Sequence, residues 1–243
     1  RKKPCWGNRM MLTTVALLTI LILPPGDEPE ELHELLPGIR VTEGVIEFDG
    51  TISIDAHHPD TPDVYLEMFI TAPDSREHES LVVSNIKASN LHAGLLAAGF
   101  DSGAPITRND LDEVVPAHGD PLFITVAIQD DAPEFVPITD WVMHVDAESE
   151  LIENEKWGGF VFAGSKFTKR GYEADGTGTL VSLTSFGDEV IAPVWTISHL
   201  AEIDEPAWIA NRDRVPERNT KVVVRIRREE SHEPDGIDID RNP

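Results

Sequence analysis

Apolar residues recur at every second position through most of the chain from residue 37 to residue 228, the period of a half-buried strand. "IRVTEGVIEFDGTISID" predicts strands near 39–42, 45–48 and 51–55, with Val45 and Glu47 on one side and Ile46 and Phe48 on the other. The Asp49-Gly50 pair between apolar flanks predicts a hairpin turn. "VYLEMFIT" predicts a strand over 64–71 with Tyr65, Glu67 and Phe69 on one face. "LFITVAIQD", "FVPIT", "GFVFAG", "GTLVSLTSF", "VIAPVW" and "KVVVRIRRE" read as further strands, and "TDWVMHVDAESELIE" fits either a helix or a strand plus turn. One stretch changes period. In "KASNLHAGLLAAGF", Leu91, Leu95 and Ala98 fall at helical spacing, Ser89 can cap the start and Gly99 can end the helix. The pattern predicts an α+β fold: one β-rich domain of about eight to ten mostly antiparallel strands with one main helix near 89–98.

The two ends break the pattern. Arg1, Lys2, Lys3 and Arg9 precede "MMLTTVALLTILIL", and "PPGDEPEE" comes after it. A basic segment ahead of about 14 apolar residues, roughly 21 Å of helix, suits a secretory signal better than a full bilayer span. Residues 1–26 are therefore expected to be a signal peptide, or a signal-anchor held through residues 10–23. By the positive-inside rule, the remainder of the chain is expected in the periplasm or on the extracytoplasmic face of the cell envelope. Residues 27–36 read as an acidic spacer with a short helical turn at 30–36, 37–228 as a single domain, and 229–243 as a disordered acidic tail.

Composition narrows the partners. Forty-four Asp and Glu against 20 Lys and Arg give a formal charge of -24. That surface repels phosphate backbones, so nucleic acid is not an expected partner, and the membrane is met only through the N-terminal segment. The single cysteine, Cys5, precedes the apolar run, so the domain has no internal disulfide and no cysteine-held metal.

Candidate chemistry centres on "SREHESLVV". If this stretch is extended, Glu77 and Glu79 share a face with Leu81 and Val83, and carboxylates drawn toward a core become acid–base groups. If the strand begins only at Leu81, all four polar residues are solvated. His92 lies on the helical stripe, where a core histidine with a satisfied nitrogen is the commoner case. Were the helix folded back over the stretch, Ser80, His92 and a carboxylate would form a nucleophile–base set, or His78, Glu79 and His92 a metal site. No G-x-S-x-G or H-E-x-x-H spacing supports either, and no cofactor fingerprint is complete. "GFVFAGSK" has the wrong order for a phosphate loop, "YEADGTGT" reads as a glycine-rich turn, and the tail "DGIDIDR" lacks the spacing of a calcium loop.

The strings "ELLPGIRV", "GVIEFDGTI", "REHESLVV", "LHAGLLAAG", "WGGFVFAGSKF" and "GYEADGTGTLVSL" together resemble the YdjY-like domain family of exported bacterial proteins, over about Leu35 to Ile226. The resemblance implies an exported domain with a shared polar motif and brings no reaction with it. The expected role is an envelope binding module for a small molecule, a metal or an envelope protein, through His78, Glu79, Ser80 and His92. The alternative is an exported hydrolase or metal-dependent enzyme using Glu77, Glu79, Ser80 and His92.

Overall fold

A computed structural model describes residues 31–60, 63–109, 111, 113–145 and 159–228. The expected signal segment, the tail and Trp157 lie outside them. The strands are β1 (His33–Leu36), β2 (Ile39–Thr42), β3 (Val45–Ile52), β4 (Met68–Thr71), β5 (Ser80–Val83) and β6 (Thr107–Arg108). Then come β7 (Val114–Val115), β8 (Pro121–Ile128), β9 (Val136–Pro137), β10 (Val142–His144), β11 (Phe160–Phe162) and β12 (Phe167–Thr168). The last are β13 (Gly171–Tyr172), β14 (Thr179–Ser182), β15 (Ile191–Pro193), β16 (Trp208–Ala210) and β17 (Lys221–Arg228). The helices are α1 (Ala88–Ala97) and α2 (Glu173–Thr177), with 3-10 turns at Glu77–Glu79 and Ile138–Trp141.

The main sheet runs β3-β17-β8-β11-β15-β14-β4-β5, and β5 pairs back onto β3. That last pairing closes an eight-stranded barrel, so the fold is mostly β rather than α+β, with one main helix as expected. Closure leaves the eight strands without a free edge inside the ring, while β1 and β2 extend the sheet outward from β3. Alternation fills the interior. Ile46, Phe48 and Ile52 of β3, Val222, Val224 and Ile226 of β17, and Phe160 and Phe162 of β11 are all almost wholly buried. On the outer face, Arg225 meets Glu47 at 2.6 Å and Arg40 meets Asp49 at 2.9 Å.

Several local expectations fail for identifiable reasons. The Asp49-Gly50 pair is no turn, because β3 runs straight through it. Gly50 is there because a Cβ would lie 2.4 Å from Val82 Cγ1, at the seam where β5 closes the barrel. The actual turn uses Gly44, at φ +70°. The expected helical turn at 30–36 is replaced by β1, which folds back on β2 through Pro37-Gly38. The expected strand over 64–71 shortens to β4. "TDWVMH" resolves into a 3-10 turn and β10, and "YEADGT" into the end of β13 and α2 rather than a plain turn.

Helix α1 packs on β2 and β14. Gly99 ends it as expected, at φ +87° with its N–H donating to the Leu96 carbonyl. Ser89 does not cap it. The helix starts one residue earlier, and the Ser89 N–H donates to the Asp175 carboxylate of α2 at 2.8 Å.

Two features of the barrel set up the site. The pairs β4–β5 and β14–β15 are parallel, yet each is joined by a short return, 72–79 and 183–190. Parallel neighbours usually need a longer crossover. Here each return runs back along a very short strand: the first contains a 3-10 turn over Glu77–Glu79, and the second is anchored in the core by Leu183 and Val190.

Candidate functional site

The polar stretch is the return between β4 and β5. It is not extended: Glu77, His78 and Glu79 form a 3-10 turn and the strand begins at Ser80. Glu77 and Glu79 therefore do not share a strand face with Leu81 and Val83, and the turn sends them to different places. The Glu77 carboxylate accepts the Asp74 N–H at 2.9 Å and, with His78 and Arg218, lines an open depression of about 330 Å³. His78 stands in solvent, its side chain 81% exposed. Ser80 is fully buried, and its hydroxyl donates to the Arg76 carbonyl.

His92 lies in a separate neighbourhood. Its Nδ1 donates to the Gly164 carbonyl at 3.0 Å, and the Tyr172 hydroxyl bonds the same carbonyl, also at 3.0 Å. The imidazole meets Phe162 and Tyr172 edge to face. Burial lowers the pKa of His92, the Gly164 bond opposing it, so the ring is held neutral. Burial, then the Asp175 charge, pushes the Tyr172 phenol up. This is the satisfied core histidine, locking α1 to the turn after β11. Ser80 and His92 are each bonded to other partners, so no Ser80–His92 nucleophile–base pair forms. Among the described residues no group of three or more His, Cys, Asp or Glu side chains is placed to hold a metal. Ser165, at φ +50°, donates through its hydroxyl to the Asp188 carbonyl, and Lys166 pairs with Glu173 at 3.2 Å.

Glu79 reaches a different setting. In the parallel register Met68 faces Ser80, which sets Glu67 opposite Glu79, and the Glu67 N–H donates to the Glu79 carbonyl at 2.9 Å. On its other side, the Glu67 carbonyl accepts the N–H groups of Leu183 and Thr184, where the second return begins. Two carboxylates are thus fixed side by side by backbone bonds. They open into a half-enclosed cleft of about 90 Å³ walled by Tyr65, Thr184, His199 and Asp204. Arg76 lies 3.5 Å from the Glu79 carboxylate and 4.0 Å over the Phe186 ring, tying the two returns together. His199 stacks on Phe186 at 4.6 Å and donates from Nδ1 to the Ser185 carbonyl at 2.9 Å.

The electrostatics single out Glu67. Among the described residues its carboxyl takes no hydrogen bond and no ion pair. Burial and then the Glu79 charge raise its pKa, against the pull of His199, Arg76 and His78. A second raised carboxyl, Glu189, is fully buried in the second return. Its Oε2 accepts the Gly187 and Asp188 N–H groups, which makes it a clasp for that turn. The sequence singled out neither Glu67 nor His199 for chemistry. A glutamate inside "VYLEMFIT" is a legible signal, whereas nothing in "TISHLAEIDEPAW" marks His199.

The fold and the cleft define a closed β-barrel domain with a paired-carboxylate recess built on two short parallel returns. Residues 41–227 match the YdjY domain family, and the chain belongs to that family. No curated protein shows significant similarity to the chain. No solved structure does either.

Proposed function

We propose that this YdjY domain is an extracytoplasmic binding module that takes small organic cations, with an ammonium head in the Glu67–Glu79 cleft. The observation that carries the reading is the Glu67 carboxyl, set against Glu79 with no hydrogen bond or ion pair of its own among the described residues, its pKa raised despite the more distant pull of His199, Arg76 and His78. Arg76 pairs with Glu79 and reaches Glu67 only from farther off, without cancelling burial and the Glu79 charge, so the two carboxylates keep a deficit of positive charge that an ammonium group would offset. An organic head suits the recess better than a bare metal ion, because its acidic and imidazole groups do not converge to ligand spacing. Of the polar stretch, Glu79 carries the role. Export rests on the basic and apolar pattern of residues 1–26. It is checked by an alkaline phosphatase fusion after residue 30, active if the segment exports.

The binding test is calorimetric titration of ethylammonium chloride into the full chain, against matched sodium chloride. Saturable binding is expected, weakened about tenfold, or roughly 1.4 kcal/mol, by Glu67→Gln and by Glu79→Gln. Glu77→Gln, on the same turn but facing elsewhere, is expected to leave it unchanged. No saturable binding, or equal loss in all three variants, would show only diffuse attraction to an acidic surface.

A further inference from the structure

Beside the carboxylate cleft lies a second and larger depression of about 420 Å³. The two share a wall, since Ser198 and Asp204 line both, and the Ser198 N–H donates to the Asp204 carboxylate at 2.7 Å. The larger depression is floored by Phe186, the ring that carries Arg76 and His199, and its sides include Ile106, Val114, Leu200 and Ile203. Leu200 and Ile203 are 45% and 60% exposed, and Val114 is 45% exposed, so the groove presents apolar surface to water. The sizes are complementary. The cleft alone is too small for most organic ligands, while the groove falls in the range of small-molecule sites.

We infer that the cleft and the groove are one site, and that its ligand is an amphipathic monoamine: ammonium head between Glu67 and Glu79, apolar body over Phe186, Leu200 and Ile203. This rests on the cation-binding reading of the cleft and names the class of ligand that reading leaves open. The occupant is set by charge and surface together. The acidic end fixes the head, and the apolar walls gain only from a body that removes them from water. The far end fixes the number of charges. Among the described residues that line the groove Asp204, at the shared wall, is the one acid, so a second ammonium at the tail would find no carboxylate to offset its desolvation.

The test compares ethylammonium, butylammonium, hexylammonium and hexane-1,6-diammonium by calorimetry on the full chain. Each added methylene that reaches the groove is worth about 0.8 kcal/mol when fully buried, close to fourfold in affinity. Partial exposure of the walls brings the expected gain to about twofold per methylene, and the diammonium is expected to bind more weakly than hexylammonium. Leu200→Ser with Ile203→Ser, both on the surface, should flatten the chain-length dependence while leaving ethylammonium affinity in place. Equal affinity for ethylammonium and hexylammonium would overturn the joined site and leave the cation cleft standing. A diammonium that binds as tightly as hexylammonium would overturn it too. Failure of every amine to bind would remove both readings.

Discussion

His92 and Glu67 are both partly buried ionisable groups in the same barrel, and the molecule treats them in opposite ways. His92 is matched to its surroundings: one nitrogen on the Gly164 carbonyl, Tyr172 on the same oxygen, and two rings packed edge to face. Glu67 has its backbone fully bonded on both sides and its carboxyl left facing another carboxylate. A buried polar group with its partners in place serves the fold; one held rigidly and left without a partner is available to a ligand. The contrast separates structure from function in a molecule whose formal charge of -24 makes single carboxylates commonplace.

The largest expected effect falls on the satisfied side. His92→Ala should cost about 2 kcal/mol, from the lost hydrogen bond and the space left between Phe162 and Tyr172, read as a lower urea midpoint at unchanged slope. The pH dependence has a definite sign. The pKa of His92 is lowered on folding, so below about 6.5 the unfolded chain binds a proton that the native state refuses. Stability should therefore fall as pH drops below about 6.5, and the fall should be shallower in His92→Gln.

Next in size is the cap. Asp175→Ala should cost about 1 kcal/mol, because the Ser89 N–H at the start of α1 loses its acceptor. Hydrogen exchange should quicken at the first turn of α1 and not in the barrel strands.

The smallest effect sharpens the contrast most. Glu67→Gln should stabilise the fold at pH 7 by roughly 0.5 kcal/mol, since it removes a like-charge pair, partly screened by solvent, where the β4–β5 return meets the start of β4. The sign again comes from linkage. The pKa of Glu67 is raised on folding, so the native state holds its proton more tightly and the penalty is present above the folded pKa. It should disappear as pH falls below about 4.3, where the carboxyl is protonated in both states. Acid thus weakens the His92 region and relieves the Glu67 region. A residue whose removal helps the fold and weakens binding is one kept for function.

Much of the barrel was legible, because alternation in β3, β8, β11 and β17 reports which side chains fill the interior. Closure was not. Nothing local says that β5 pairs with β3, and the clue that marks the seam, Gly50, has the look of a turn residue. Ser89 is a plausible cap by type, yet the acceptor comes from Asp175, far along the chain. The polar stretch stands out in the sequence as unusual, but its 3-10 conformation separates Glu77 from Glu79. Glu79 gains its meaning only from Glu67, which the register of a parallel pair sets beside it. His199 arrives through a third segment with no pattern of its own. Sites assembled from returns rather than from one motif leave little trace in spacing.

The central claim is that Glu67 carries an uncompensated carboxyl that an ammonium group completes. Carbon-13 NMR titration of the Glu67 side-chain carboxyl, in the free chain and in saturating ethylammonium, tests it directly. Titration above the ordinary carboxylate range is expected in the free protein, with a shift downward when the amine is bound and a smaller elevation in Glu79→Gln. A Glu67 carboxyl that titrates in the ordinary range and ignores the amine would contradict it.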